Sequence, residues 1–349
     1  MDARERKGKF TEKKEISKQY SIGNHFDLHV DNIYGEVKIE TWDKKEVSYQ
    51  INIISNGDNL EEVKRRLEKI HIGVDESKSK LSLVTHLDAN NQKHSTFTSF
   101  IKGLFNGDSF SSNSHIEINY IIHLPKDANL DITNDYGYIY IDETKGNTRL
   151  NSDYGGLVAE ALLSSSNEIN LDYSSKSDIM HLRQAEMNIA YSSIHMHHVG
   201  FLDLSADYCT TKIDSIKDIN FNVDYGSIVV NKGRKIEGSA DYVQLKFGEV
   251  EGYLNLNLSY GGVKINRIKK GFTLANIQAD YASVKVGVDY SEAFVLDVKT
   301  NYANIKGIQD FTPIYSNDDD YRGYNKSKDT SKRISIDADY GSVSIFSSY

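Results

Sequence analysis

The sequence predicts an all-β protein, a parallel β-helix or solenoid of about 11 short coils, with an N-terminal β-rich cap that contains one helix. Three features predict this fold class. Tyrosine recurs at a nearly constant interval, apolar residues alternate with period two around it, and small residues follow it. A unit of 17 to 21 residues cannot bury its apolar face alone, whereas stacked copies share one core.

The repeat is marked by tyrosines that lie 17 to 21 residues apart, except for a last gap of 38. Aspartate precedes eight of these eleven tyrosines, and Gly, Ser or Ala usually follows. Stacked copies would arrange the rings as a ladder at the interstrand spacing of about 4.8 Å. The predicted structural ladder comprises Tyr136, Tyr154, Tyr173, Tyr191, Tyr208, Tyr225, Tyr242, Tyr260, Tyr281, Tyr302 and Tyr340.

Each repeat is expected to turn a corner directly after its tyrosine. Ile219, Phe221 and Val223 share the parity of Tyr225, but the next apolar position is Ile228, three residues later. A straight strand would place that position on the opposite face, so the chain must bend where the small residues lie. Gly and Ser suit such a tight corner. We therefore expect two short strands in each repeat.

The chain is predicted to comprise two regions, an N-terminal cap over 1–125 and a solenoid repeat domain over 126–349. The cap begins with the repeat motif and then departs from it, because apolar residues at helical spacing follow Asp58 and Glu61. This pattern predicts one helix at about 59–71. A non-repetitive cap would cover strand edges that otherwise invite aggregation.

Near the C-terminus, the segment 313–333 contains another Asp-Tyr pair, Asp320-Tyr321, in very polar surroundings. A charged run of this kind is usually solvated, which favours an exposed loop over a degenerate coil. The chain also ends only nine residues after Tyr340. As a hypothesis, the loop or a second molecule covers that edge, so end-to-end self-association is one expected form of assembly.

Composition excludes several classes of partner. The net charge of −9 argues against binding to a nucleic-acid backbone, which needs concentrated Lys and Arg. No apolar stretch is long enough to span a bilayer, and the polar start, 1–14, lacks the apolar core of a signal peptide. Cys209 is the only cysteine, which excludes an intrachain disulfide. An envelope or secreted location therefore assumes a leader missing from the chain, and an intracellular scaffold remains the alternative.

Four aspartates of the repeat are candidate surface-binding residues. Stacked carboxylates could bind Ca²⁺, which takes six to eight oxygen ligands. The simpler alternative is that each carboxylate accepts hydrogen bonds from the backbone of its own corner. The Gly-Gly-x-Gly-x-Asp repeat of calcium-binding β-helices is absent. We therefore predict no metal at these candidates, which are Asp207, Asp224, Asp241 and Asp280.

Histidines cluster at His195, His197 and His198, with His181 about one coil earlier. His195 and His197 share a parity and could pair on a metal. No carboxylate lies at a spacing typical of a metal site, so a solvated face is the favoured interpretation. Neither a bound metal nor a cofactor is predicted.

No catalytic residues are predicted. The chain has no Gly-x-Ser-x-Gly elbow and no phosphate-binding loop, and Cys209 occupies a small-residue corner where a structural thiol fits. The enzymatic alternative is a β-helical polysaccharide lyase or glycoside hydrolase, which would need paired carboxylates or basic residues in a cleft. Short, uniform repeats argue against such a cleft.

The segment Asn32-Ile33-Tyr34-Gly35-Glu36-Val37-Lys38-Ile39-Glu40-Thr41-Trp42-Asp43, the following helix and the Asp-Tyr-Gly series resemble the bacterial putative-adhesin β-strand-repeat proteins over nearly the whole chain. The resemblance implies a β-solenoid of the cell envelope or of the cell exterior, normally made with a leader. It brings no catalytic residues. We therefore expect a non-enzymatic, adhesin-like protein that presents a regular surface to a glycan or a protein, or acts as a structural spacer.

Overall fold

The computed structural model describes residues 8–87 and 113–348. They are almost entirely β-strand, with one helix among them. The chain divides into two compact units, Met1–Asn167 and Glu168–Tyr349. The predicted boundary at 125/126 falls inside the first unit, at the end of a strand. No helix within the described ranges has both the length and the apolar character needed to cross a membrane.

The first unit is built of eleven strands and one helix. Their bounds are β1 Phe10–Ser21, β2 Asp27–Ile33, β3 Val37–Trp42, β4 Glu46–Gly57, α1 Leu60–Lys69, β5 His71–Glu76, β6 Lys80–His86, β7 His115–Pro125, β8 Asn129–Asp135, β9 Tyr138–Thr144, β10 Thr148–Asp153 and β11 Gly156–Leu162.

Two rows of strands run through the first unit. In one row β2 pairs in parallel with both β6 and β8, and β10 extends it. In the other, β3 pairs in parallel with β7 and β9, and β11 extends it. Antiparallel strands finish both rows, since β5 pairs with β6, and β4 lies between β7 and β1. The first unit is therefore β-rich, as the sequence predicts for the N-terminal region, and its antiparallel strands depart from the repeat.

Helix α1 lies within the predicted segment 59–71, but its N-cap is Asn59 rather than Asp58. The Asn59 side chain accepts hydrogen bonds from the backbone N–H groups of Glu61 and Glu62 at 3.0 and 3.3 Å. The helix packs through Val63, which is fully buried, and through Arg66, which donates to the carbonyl of Asn56 at 3.0 Å.

The second unit contains the remaining ten strands. Their bounds are β12 Asn167–Asp172, β13 Ser177–Ala190, β14 Ser193–Ile268, β15 Leu274–Val288, β16 Phe294–Asn301, β17 Asn304–Lys306, β18 Thr312–Ser316, β19 Asp320–Asn325, β20 Arg333–Asp339 and β21 Ser342–Ser347. β12 pairs in parallel with β13, β13 with β14, and β14 with β15, in register except for a shift between Ile265 and Ile268. Buried apolar residues alternate with outward ones along these strands, as in Leu254, Leu256 and Leu258.

The C-terminal strands do not follow the sequence order. β20 pairs in parallel with β15 on one side and with β16 on the other. Likewise β21 pairs with both β15 and β17. The last repeat of the chain is therefore inserted between two earlier ones, and its strands have neighbours on both sides.

The segment 313–333 differs from the predicted exposed loop. Its strands β18 and β19 pair antiparallel, and β19 also pairs antiparallel with β16. Tyr321 is only 6% exposed, and the side chain of Asn325 donates to the carbonyl of Tyr290 at 3.0 Å. The inward positions are thus polar residues with hydrogen-bond partners, which is why composition alone suggested a solvated loop. The hairpin covers the edge of β16, a role that the sequence suggested for this segment.

Ile336 tests the inserted position of β20. Its register partners are Ile277 in β15 and Val298 in β16, and all three side chains are buried. Ile336→Ala should lower the free energy of unfolding by about 2–5 kcal/mol, because the cavity left between two packed strands cannot collapse fully. Urea denaturation measures this. The neighbouring outward substitution Asp337→Asn should change it by less than about 0.5 kcal/mol; equal effects would contradict the insertion.

Candidate functional site

Stacked tyrosine rings form a row in each unit. In the first unit Tyr34, Tyr136 and Tyr154 stack with ring centroids 5.1 to 5.2 Å apart. In the second unit the row contains nine rings with centroids 4.6 to 5.2 Å apart. Its order is Tyr173, Tyr191, Tyr208, Tyr225, Tyr242, Tyr260, Tyr281, Tyr340 and Tyr302.

Two features of these rows differ from the sequence prediction. Tyr34 belongs to the first row although the predicted ladder began at Tyr136; the constant offset between 28–39 and 130–141 was the signal, since those segments pair in register. Tyr340 lies between Tyr281 and Tyr302, because the last repeat is inserted there. Every predicted ladder tyrosine takes part in one of the two rows.

The tyrosine itself is the left-handed corner residue. All ladder tyrosines have φ between 48° and 63°, a region that usually favours glycine. This conformation costs about 1–2 kcal/mol for an ordinary residue. Each stacked aromatic contact stabilises the fold by about 0.5–1.5 kcal/mol, which offsets much of that cost. Backbone pairing also holds the corner, as in the hydrogen bond from Tyr191 N to the carbonyl of Asp207 at 2.9 Å.

The rings are half exposed. Most tyrosines of the second unit have an exposed fraction of 40% to 50%, and Tyr302 at the end of the row reaches 76%. Neighbouring ring planes lie nearly parallel, so their faces contact each other and the ring edges meet solvent. The row therefore presents a line of phenol edges at a spacing of one strand.

The four candidate aspartates lie one position before ladder tyrosines, on the surface of the second unit. Within residues 168–348 their side chains accept no hydrogen bond, so the corner-bonding alternative does not describe Asp207, Asp224, Asp241 or Asp280. The Oδ1 atom of Asp241 is buried without a partner. None of the four belongs to the group of side chains that could jointly hold a metal in the described residues.

Asp135, the corresponding aspartate of the first unit, is more deeply placed. Burial, together with the charges of Asp153 and Asp31, raises the pKa of this carboxyl to about 6. Stacked repeats thus bring like charges together wherever the same acidic residue recurs.

A polar groove of about 310 Å³ lies in the second unit. Its outward side chains come from equivalent positions of successive repeats, since Glu186 pairs in register with Asp203, and Asn188 with Ser205. Asn220 continues the first column and donates to the carboxylate of Asp203 at 3.1 Å. The groove is thus a regular array of amide, hydroxyl and carboxylate groups.

A second cluster combines two histidines with two aspartates, all on the outward side of their strands. His195 and His197 lie side by side in β14 with ring centroids 4.0 Å apart. Asp178 of β13 and Asp214 of β14 flank them. The Oδ2 atom of Asp214 lies 3.0 Å from His195 Nε2 and 3.0 Å from His197 Nδ1. The Oδ2 atom of Asp178 lies 3.6 Å from His195 Nδ1 and 3.2 Å from His197 Nε2.

Neither carboxylate of this His–Asp cluster was predicted from the sequence. The histidines were expected to form a solvated face without a carboxylate partner, whereas Asp178 is the register partner of His195 one repeat earlier. Asp214 lies 17 residues after His197, which is again one repeat. The repeat interval was therefore the signal that could have found them.

The other histidines of that region lie elsewhere. His181 stacks on His198 at 5.1 Å, and His198 Nδ1 contacts Ser215 Oγ at 3.0 Å. These rings take no part in the His–Asp cluster.

Cys209 is buried, and its thiol donates to the carbonyl of Asp207 at 3.1 Å. Burial raises the pKa of this thiol, a change that favours the unreactive protonated form.

Substitution of Tyr225 tests the left-handed corner. Both Tyr225→Gly and Tyr225→Val lose the stacking on Tyr208 and Tyr242, but only valine keeps the cost of positive φ. The glycine variant should therefore be more stable than the valine variant by about 1–2 kcal/mol in urea denaturation.

Tyr253 is the matched control, because it lies in β14 with ordinary extended backbone. At this position valine suits the extended backbone and glycine destabilises the strand. The Tyr253→Val variant should therefore be more stable than the Tyr253→Gly variant by about 0.5–1 kcal/mol. The same order at both positions would contradict the assigned strain.

The raised pKa of Asp135 predicts a pH dependence of stability. Between the unfolded pKa near 3.9 and the folded pKa of about 6, the folded state binds more protons, so stability should fall as pH rises through this window. Asp135→Asn should remove that loss and stabilise the protein more at pH 7 than at pH 4, as measured by thermal melts across this range. The control is the exposed substitution Asp127→Asn, which leaves the surroundings of Asp135 intact and should change the stability by less than about 0.5 kcal/mol.

No family model and no curated protein matches the chain. Among solved structures, it is similar to a putative cell adhesion protein from Clostridium sporogenes, with 10% identity, 96% of this chain and 100% of that chain covered, and a TM-score of 0.18. A putative adhesin from Parabacteroides distasonis has 10% identity, coverage of 95% and 97%, and a TM-score of 0.33. A putative adhesin from Bacteroides fragilis has 9% identity, the same coverage and a TM-score of 0.23. TM-scores of this size carry no conclusion about this chain.

Proposed function

We propose that the protein is a non-enzymatic, adhesin-like β-solenoid of about 11 short coils that presents a regular surface to a glycan or a protein. The observation that carries this proposal is the row of nine stacked, half-exposed tyrosines in the second unit. A cell-envelope or extracellular location belongs to the proposal, because such a surface acts on large external ligands.

The solenoid is supported by the pairing pattern. In the second unit β13 and β14 pair in parallel and in register, as in the run from Glu186↔Asp203 to Ala190↔Asp207. The pattern in the first unit is the same from β2 to β10. Stacked repeats that share a core are what a solenoid requires.

Tyrosine is well suited to a binding surface. Its ring offers rigid contact area, and its hydroxyl both donates and accepts hydrogen bonds, at a low cost in side-chain entropy. Here stacking immobilises the rings before any ligand arrives. A ligand would therefore lose less entropy on binding than it would with free side chains.

A regular surface favours a ligand with its own short repeat. A polysaccharide chain can make the same weak contact at many points, and linked weak contacts give high avidity. The polar groove supplies further hydrogen-bonding groups in the same unit. We therefore propose a glycan as the first class of ligand, with a protein surface as the second.

The chemistry of Cys209 and of the ladder aspartates supports binding rather than catalysis. The thiol of Cys209 is buried with a raised pKa, so it is a poor nucleophile. The ladder aspartates are spread along the unit instead of forming a pair across a cleft. A glycoside hydrolase or lyase would need such a pair, or a basic residue beside it.

A glycan array with the full-length purified chain tests this function. We expect binding to one class of polysaccharide without its depolymerisation. The triple variant Tyr208→Phe, Tyr225→Phe and Tyr242→Phe keeps the stacked rings but loses three hydroxyls, so it should bind about tenfold more weakly or worse.

The matched control is Tyr315→Phe, because Tyr315 is equally exposed but lies in the β18–β19 hairpin outside the row. It should bind normally. Two results would overturn the proposal: depolymerisation of the bound polysaccharide that one Asp substitution abolishes, or glycan and protein binding that the triple variant leaves unchanged.

A further inference from the structure

We propose that Asp178, His195 and His197 bind one divalent transition-metal ion such as Zn²⁺, and that Asp214 orients the two imidazoles from the opposite side. This site is independent of the tyrosine row. Its three ligands come from two adjacent strands, β13 and β14, and lie together in the second unit.

The spacing of the ligand atoms fits the ion. Asp178 Oδ2 lies 3.6 Å from His195 Nδ1 and 3.2 Å from His197 Nε2. Tetrahedral ligands at about 2.0–2.2 Å from Zn²⁺ lie about 3.3–3.6 Å from one another. The three ligand atoms all lie within 4.8 Å of one another, so rotation of the two imidazoles would bring their nitrogens to the separation that an ion requires.

The hydrogen bonds of the cluster leave lone pairs for an ion. Each ring places one nitrogen near Asp178 and the other near Asp214, but only two of the four contacts are hydrogen bonds, from His195 Nε2 to Asp214 and from His197 Nε2 to Asp178. Two neutral imidazoles supply these two N–H donors, and the other nitrogen of each ring keeps a lone pair. When the His197 proton moves to Nδ1, which lies 3.0 Å from Asp214 Oδ2, both rings present a bare lone pair towards Asp178. A metal ion on that side takes both lone pairs and the carboxylate together.

The surroundings of the two aspartates place the ion beside Asp178. The Oδ1 atom of Asp214 accepts a hydrogen bond from Asn231 at 3.0 Å and lies 3.7 Å from Lys212 Nζ. A second cation there would meet the lysine charge.

Asp178 has the opposite character. Within residues 168–348 its side chain contacts the two imidazoles alone, and it is 41% exposed, so an ion can reach it and water can complete the coordination. Asp214 then has the role of the outer carboxylate that fixes the orientation of ligating histidines.

The ligand set also selects the metal. Two imidazoles with one carboxylate suit Zn²⁺, Ni²⁺ and Cu²⁺, whereas Ca²⁺ and Mg²⁺ need oxygen ligands throughout. The bound ion would tie two successive repeats together through their outward side chains. It should therefore raise the melting temperature of the folded chain.

Calorimetric titration of the full-length chain, expressed without a histidine tag and stripped with a chelator, tests the site. We expect Zn²⁺ to bind with one equivalent per chain at this site and to raise the melting temperature, and Ca²⁺ and Mg²⁺ to do neither. Asp178→Asn and His197→Gln should each abolish this binding. Asp214→Asn should weaken it by about 10–100-fold, because it removes the orienting partner and no ligand.

His198→Gln is the matched control, because His198 is the next residue along but contacts Ser215 and no carboxylate. It should bind Zn²⁺ normally. Far-UV circular dichroism of each metal-free variant, and the visible absorption of the Co²⁺ form, separate lost ligands from lost folding. Undiminished binding by Asp178→Asn, or equal losses in Asp178→Asn and Asp214→Asn, would overturn the assignment.

Discussion

The arrangement of the chain depends on parallel strand pairing in register, at an offset of one repeat. Under this constraint each side chain lies beside its counterpart from the next repeat, so a single sequence position becomes a column on the surface or in the core. Apolar positions such as Ile277, Ile336 and Val298 form the buried columns. The tyrosines form an exposed column, and their rings are close enough to stack. This stacking offsets much of the free-energy cost of their left-handed backbone conformation.

Pairing in register also brings charged side chains together. The contacts are repulsive at some positions and attractive at others. Where an acidic residue recurs, carboxylates face each other in partly desolvated surroundings, and the pKa of Asp135 rises to about 6. Where histidines alternate with aspartates, the columns become complementary, as in the cluster of His195 and His197 between Asp178 and Asp214. A change in one repeat therefore acts on both neighbouring repeats.

Edge strands are the hazard of such an architecture, because their free N–H and C=O groups invite pairing with another chain. In the first unit the rows of parallel strands finish in the antiparallel strands β1, β4 and β5. In the second unit the hairpin of β18 and β19 covers β16, and the C-terminal strands lie between two others. A change from parallel to antiparallel pairing interrupts the repeat at these edges. End-to-end self-association stays a prediction.

The sequence by itself determined the strand periodicity, the tyrosine interval, the helix at Leu60–Lys69 and every ladder residue except Tyr34, because these depend on patterns among nearby residues. Tertiary structure decided the insertion of Tyr340 between Tyr281 and Tyr302, the pairing of β19 with β16, and the two carboxylates beside His195 and His197. Those features depend on which distant strands pair. The pairings of β20 and β19 cover strand edges of β15 and β16, and patterns among nearby residues do not specify which distant strands pair.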